Sequence, residues 1–248
     1  MKSRGILLAV FVLSFFVSGA FAEQIVKELI KSEGKERAYY LFVPDKISTA
    51  KPVPLIVLLH GSGRTGISLV EKWKDLAKKE GIIIVGPDSL DTRGWRIPGD
   101  GPDFIHELID ILKAKYPINM RRLYLFGHSA GAGQALYLSL LESEYFAATA
   151  IHAGALAGKN DDTFIEQAKR KIPFWIFVGT NDQFFPLSVV RATRDALVTG
   201  GFKCELTELK DHTHWYYDKA AEINRGAWNF LKVYELNGEP KYEQHQFN

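Results

Sequence analysis

Gly127-His128-Ser129-Ala130-Gly131 places a serine between glycines, directly after the apolar run Leu123-Tyr124-Leu125-Phe126 and before an Ala/Leu-rich stretch. G-x-S-x-G at a strand-to-helix junction is the setting in which a serine hydroxyl becomes an acyl-transfer nucleophile. The turn forces the serine backbone into a strained conformation, and the flanking glycines remove side chains that would collide with it. Gly133 is expected to allow a further close approach. The helix that follows aims unpaired N–H groups at the same spot, favouring developing negative charge. Ser129 could instead be a simple helix cap, but strand, turn and helix together favour the nucleophile.

A hydroxyl needs a base to take its proton, and the base needs a third group to hold its tautomer. Asp182 follows the tip of the apolar run Phe174–Gly179 and is the candidate orienting acid. It could also be a turn-forming residue, and Asp211 is the reserve. The base is expected in Lys210-Asp211-His212-Thr213-His214-Trp215, after the alternating stretch Glu205–Leu209. Of its two histidines His214 is preferred, because its greater distance from Leu209 lets the loop turn back; His212 is the alternative. Zinc binding by this His-x-His pair is disfavoured because no further ligand cluster accompanies it, so neither metal nor cofactor is expected.

The tetrahedral intermediate of acyl transfer requires donors for its oxyanion, worth about 3 kcal/mol each. Ala130 supplies one amide. The loop His60-Gly61-Ser62-Gly63 supplies the other, with Ser62 the expected donor and His60 a structural residue shaping the turn. Trp95, Phe184 and Trp215 lie in loops after strand ends and could line an apolar substrate pocket, although ordinary packing explains such side chains equally well. No insertion is long enough for a large lid, so an open cleft is expected.

These residues need a scaffold that presents them on one rim. Strands are expected at Arg37–Val43, Pro54–His60, Ile82–Gly86, Arg122–Gly127, Ala147–His152, Phe174–Gly179 and Glu205–Leu209. Helices are expected at Ser68–Lys79, Pro102–Tyr116, Ala130–Leu141, Thr163–Lys171, Leu187–Val198 and Asp218–Val233. Near-continuous runs such as Leu55-Ile56-Val57-Leu58-Leu59 read as strands covered on both faces. Their alternation with amphipathic helices predicts an α/β architecture, a mostly parallel twisted sheet with helices on both faces. The strand from Arg37 could be antiparallel at the edge. Ligand sites in such folds lie beyond the carboxyl ends of the strands, where the candidate residues fall.

Lys2 and Arg4, then the uncharged run Gly5 to Ala22 ending Ala20-Phe21-Ala22, have the layout of a secretory signal peptide cleaved after Ala22. An uncleaved anchor is the competing reading. Residues 23–248 then form a single domain, secreted or periplasmic, with no membrane anchor after cleavage. The sequence has 31 Lys+Arg against 29 Asp+Glu. Without Lys2 and Arg4 the charge is balanced, which gives no electrostatic reason for nucleic acid as a partner. Cys204 is the only cysteine, so no intramolecular disulfide can form, and it is expected as a small buried residue.

With its motifs in the order Ser129, Asp182, His214, the chain resembles the α/β-hydrolase superfamily from Arg37 to about Val233. Pro54 to Gly61 together with Gly81 to Ser89 is similar to the secreted esterase branch containing polyhydroxybutyrate depolymerase-like and feruloyl esterase-like proteins. His214-Trp215-Tyr216-Tyr217 resembles the histidine-plus-aromatics segment of esterase D-like hydrolases, which supports His214 over His212. Many secreted members of that branch carry disulfides, and this chain cannot. The resemblance implies a carboxylic ester hydrolase acting on small-molecule or polysaccharide-linked esters. An acyltransferase or serine peptidase using the same groups is the alternative, and a catalytically inactive carbohydrate-binding relative the third.

Overall fold

The side chains of the run Leu55 to Leu59 alternate between two cores: Leu55, Val57 and Leu59 enter one, Ile56 and Leu58 the other. That division organises the whole molecule, seen here in a computed structural model that describes residues 24–45, 47–156, 158 and 161–245. The expected signal segment, residues 1–22, lies outside the described residues.

The strands are β1 (Val26–Ser32), β2 (Lys35–Phe42), β3 (Val53–Leu59), β4 (Ile83–Pro87), β5 (Ile118–His128), β6 (Ala148–His152), β7 (Phe174–Gly179) and β8 (Cys204–Leu209). They form one sheet in the order β1-β2-β4-β3-β5-β6-β7-β8. β4, β3, β5, β6, β7 and β8 run parallel, whereas β1 pairs with β2, and β2 with β4, antiparallel.

The helices are α1 (Ile67–Glu80), α2 (Pro102–Lys115), α3 (Ala130–Leu141), α4 (Asp161–Gln167), α5 (Leu187–Thr199) and α6 (Tyr216–Leu231). Trp73 of α1 and Ile223 and Trp228 of α6 pack on the Ile56/Leu58 face. Leu108 of α2, Leu136 of α3, Ile165 of α4 and Val190 of α5 pack on the opposite face.

Several expectations change, among them β5, which begins at Ile118 rather than Arg122, and α6, which runs from Tyr216 to Leu231 rather than from Asp218 to Val233. The strand read from Arg37 is antiparallel, but it does not form the edge: β1 lies outside it, joined by the turn Glu33-Gly34 with φ of 48° and 75°. Both central residues of a tight two-residue hairpin of this hand have positive φ. α4 begins two residues before its expected start and ends earlier, with Asp161 and Asp162 in its first turn, where negative charge is favourable.

A buried ion pair fixes the connection between β4 and α2. Arg37 donates to Asp100 at 2.5 Å and also to the carbonyls of Asp88 and Gly99. Asp100 in turn accepts from the amides of Leu90 and Arg96. At the C-terminal end of α3, residues 242–245 pack against the body. Glu142 accepts from the amide of Glu243 at 3.0 Å, its other oxygen lies 2.7 Å from His245 Nε2, and Tyr242 stacks on His106 with centroids 3.8 Å apart.

Candidate active site

The sharp turn leaving β5 carries Ser129 at φ 57° and ψ −121°, a conformation that a residue with a side chain holds only when its surroundings enforce it. The Ser129 amide donates to the His152 carbonyl at 3.0 Å, and its carbonyl accepts from Ala132 at 2.9 Å and Gly133 at 3.3 Å. A Cβ at Gly127 would overlap the Gly131 carbonyl, and one at Gly131 would overlap the carbonyl of Leu59. Both positions therefore require glycine. Gly133 does not: a Cβ there meets only the Ala155 carbonyl, at 4.0 Å, so the close approach expected at Gly133 is absent.

The His214 imidazole lies between the other two candidates. Its Nε2 is 2.8 Å from Ser129 Oγ and its Nδ1 2.9 Å from Asp182 Oδ2. A carboxylate only accepts, so Nδ1 carries the proton and Nε2 is left to accept from the Ser129 hydroxyl. The second Asp182 oxygen accepts from the amides of Phe184 and Phe185, each at 2.9 Å. Asp182 thus forms a turn and orients an imidazole at once, through different oxygens.

The connections after β7 and β8 are tied together. Thr180 N donates to Leu209 O and Asn181 N to His212 O, and a Cβ at Gly179 would overlap the His212 carbonyl. His212 is 4% exposed and packs its ring on His152 at 5.4 Å. Asp211 is exposed at φ 56°, its amide bonded to Thr180 Oγ1. Neither joins the Ser129–His214–Asp182 constellation.

The loop after β3 presses against the serine: a Cβ at Gly61 would sit 3.2 Å from Ser129 Cβ. Ser62 follows, exposed. Among the described residues, no acceptor is bonded to the amides of Ser62 or Ala130. His60 is buried; its Nδ1 donates to the Gly61 carbonyl at 2.9 Å and its Nε2 accepts from the Ser89 amide at 3.1 Å. Burial holds its pKa below the usual imidazole range. Trp95 donates from Nε1 to the His60 carbonyl at 2.8 Å and packs against the His60 ring, supporting this loop from behind.

Phe184, 72% exposed, lies 4.8 Å from the His214 ring, and Trp215, 50% exposed, lies 5.0 Å from Tyr217. Phe185 stacks on His214 at 5.7 Å, a contact that the sequence reading missed. It also missed the buried pair beneath the site. His128 Nδ1 is 3.0 Å from His152 Nδ1, and the His128 ring packs 5.1 Å from His214. Burial pushes His128 down to about 3 and His152 well below its ordinary value, so both rings are neutral and fill space without adding charge. His128 stands beside Ser129 in sequence, but only the fold brings His152 to it.

Cys204 is half-buried in β8, and burial pushes its thiol up to about 12. Among the described residues no group of three or more His, Cys, Asp or Glu is placed to hold a metal ion. Nor is any helix there long and apolar enough to cross a membrane.

A family model described as phospholipase/carboxylesterase matches residues 102–224, a stretch that contains Ser129, Asp182 and His214. A bifunctional acetylxylan esterase/xylanase of Neocallimastix patriciarum is 27% identical over 161 residues, which are 63% of this chain and 23% of that protein. The match thus spans about a quarter of the relative's length. A ferulic acid esterase from Anaeromyces mucronatus superposes with a TM-score of 0.68 at 22% identity, covering 85% of this chain and 90% of that one. An S-formylglutathione hydrolase from Agrobacterium tumefaciens gives 0.66 at 17% identity, covering 83% and 94%. The chain has the α/β-hydrolase fold, and the sequence likeness is to carboxylesterases.

Proposed function

We propose that this α/β-hydrolase-fold chain is an exported serine carboxylic ester hydrolase that works through an acyl-enzyme on Ser129. The observation that carries the reading is the single imidazole of His214, within hydrogen-bond distance of both the Ser129 hydroxyl and the Asp182 carboxylate. His214 Nε2 takes the hydroxyl proton as Oγ attacks the ester carbonyl. Asp182 keeps Nδ1–H in place and stabilises the imidazolium that forms. The amides of Ser62 and Ala130 receive the oxyanion. Collapse of the intermediate breaks the acyl C–O bond, and the alcohol leaves with the proton from His214. Water, deprotonated by the same nitrogen, then releases the acid and restores Ser129.

Phe184 and Trp215 are exposed beside His214, with Trp95 supporting the His60 loop, and such an aromatic rim suits small-molecule esters or esters carried on polysaccharide. The names of the acetylxylan esterase relative and of the ferulic acid esterase point the same way. Residues 23–248 act as one domain, and the removable leader sends the chain to the periplasm or the medium. Short-chain p-nitrophenyl ester turnover and fluorophosphonate labelling test the reading. Both should vanish in Ser129→Ala, and undiminished turnover by that variant in folded form would refute it.

A further inference from the structure

The loop that presses Gly61 against the nucleophile continues to Arg64, two residues beyond Ser62. The Arg64 guanidinium lies 5.2 Å from the ring centroids of both Trp215 and Tyr217. Trp215 is the residue after His214, so this cation bridges the loop after β3, which bears Ser62, and the loop after β8, which bears His214. It is exposed. Among the described residues it makes no ion pair with a carboxylate, in contrast to Arg93 and Arg96, which share Asp91 at 2.6 and 3.0 Å, and to Arg191, paired with Glu208 at 2.7 Å.

Aromatic faces orient a guanidinium without neutralising it, and they leave its N–H donors uncommitted. Charges of both signs lie near it: Asp88 Oδ1 accepts from the Gly66 amide at 2.7 Å, and the exposed Asp218 follows Tyr217. Gly63 N donates to the Thr92 carbonyl at 2.7 Å, which brings the Asp91, Arg93 and Arg96 group, one anion against two cations, beside Arg64. On the base loop, Lys210 and Asp211 are both exposed and offset each other.

We propose that Arg64 is a specificity-determining residue that recognises a carboxylate on the ester substrate, an inference that rests on the esterase reading above. A planar fork with free donors suits a carboxylate, and the flanking rings suit the apolar or sugar face beside it. The carboxylate is borne either by the acid half, as in a half-ester of a dicarboxylic acid, or by the alcohol half, as in an acylated uronic acid.

Two matched substrate pairs separate these sources. Mono-p-nitrophenyl glutarate against p-nitrophenyl valerate places the charge on the acid half, and 4-acetoxybenzoate against its methyl ester places it on the alcohol half. The readout is the ratio of kcat/KM, charged over neutral, after subtraction of the uncatalysed rate. In Arg64→Gln the ratio falls about fivefold for one pair, the scale of one exposed charge pair, and Arg64→Lys retains more of it than Gln does. In the wild-type protein the same ratio declines as salt is raised to about 1 M, where screening acts within about 3 Å. The responding pair identifies the half that bears the charge. Unchanged ratios in both pairs, with neutral esters turned over, overturn this inference alone. Absence of turnover of both neutral esters overturns the esterase reading and this inference with it.

Discussion

Replacing Asp182 by Asn isolates the role of one oxygen. Asp182 Oδ1 accepts from the Phe184 and Phe185 amides, and an Asn carbonyl oxygen can keep both bonds. At the other position an amide NH2 replaces the oxygen that lies 2.9 Å from His214 Nδ1. Two donors cannot share a hydrogen bond, so the imidazole moves its proton to Nε2 and points N–H at Ser129 Oγ. The hydroxyl then has no base. Loss of the correct tautomer lowers kcat by about four orders of magnitude, or about 5.4 kcal/mol in the barrier. Stability changes little, because no buried amide loses its acceptor. Asp182→Ala is a poorer probe: it orphans the Phe184 and Phe185 amides at about 1–3 kcal/mol each and disturbs the connection after β7. The assay is short-chain p-nitrophenyl ester turnover across pH, alongside thermal melting followed by circular dichroism. An Asp182→Asn protein that melts like the wild type and retains more than a tenth of its kcat would refute the tautomer argument.

The glycines of the turn make a contrasting pair. Gly131→Ala drives a methyl group into the Leu59 carbonyl and should lower stability by about 1–3 kcal/mol or more, whereas Gly133→Ala, in open space within α3, should be neutral or stabilise by up to about 1 kcal/mol. Urea midpoints decide, and equal losses would contradict the packing described. Glu142 gives a pH prediction. Burial, reinforced by Asp103, raises its carboxyl to about 8, so between about 4.5 and 8 the folded chain holds a proton that the unfolded chain releases. Stability is full below that window and is lost as pH rises through it. From pH 5 to pH 9 the wild-type Tm should fall by about 4 °C more than that of Glu142→Gln, which titrates nothing there; parallel profiles would show that Glu142 is not the group responsible.

What the sequence disclosed follows from how local each signal is. The Ser129 turn was legible because its glycines, preceding strand and following helix are contiguous, and Asp182 because it terminates the apolar run Phe174–Gly179. The parallel strands declared themselves by burial on both faces. β1 did not: Lys27, Glu28 and Lys31 interrupt its apolar residues, and Leu29 is 57% exposed. His214 and His212 differ by two positions in the chain. What separates them is the crossing at Gly179, which pins His212 by its carbonyl and turns its ring inward. Phe185, His152 and Arg64 were missed because each meets its partners across long stretches of sequence, with no local pattern to mark the meeting.

The three side chains of the candidate site are anchored unequally. Ser129 follows β5, flanked by β3 and β6, whereas His214 is carried by the connection leaving β8, the border strand, which has β7 on one side only. Border strands fray before interior ones, because fewer ladder bonds must open. Gradual heating therefore separates the imidazole from the hydroxyl while the middle of the sheet is still intact, and turnover fades ahead of the helical and strand signal. The durability of this protein as a reagent is set by its periphery, and reinforcement belongs at β8 and its crossing with the β7 tip rather than in the already dense interior.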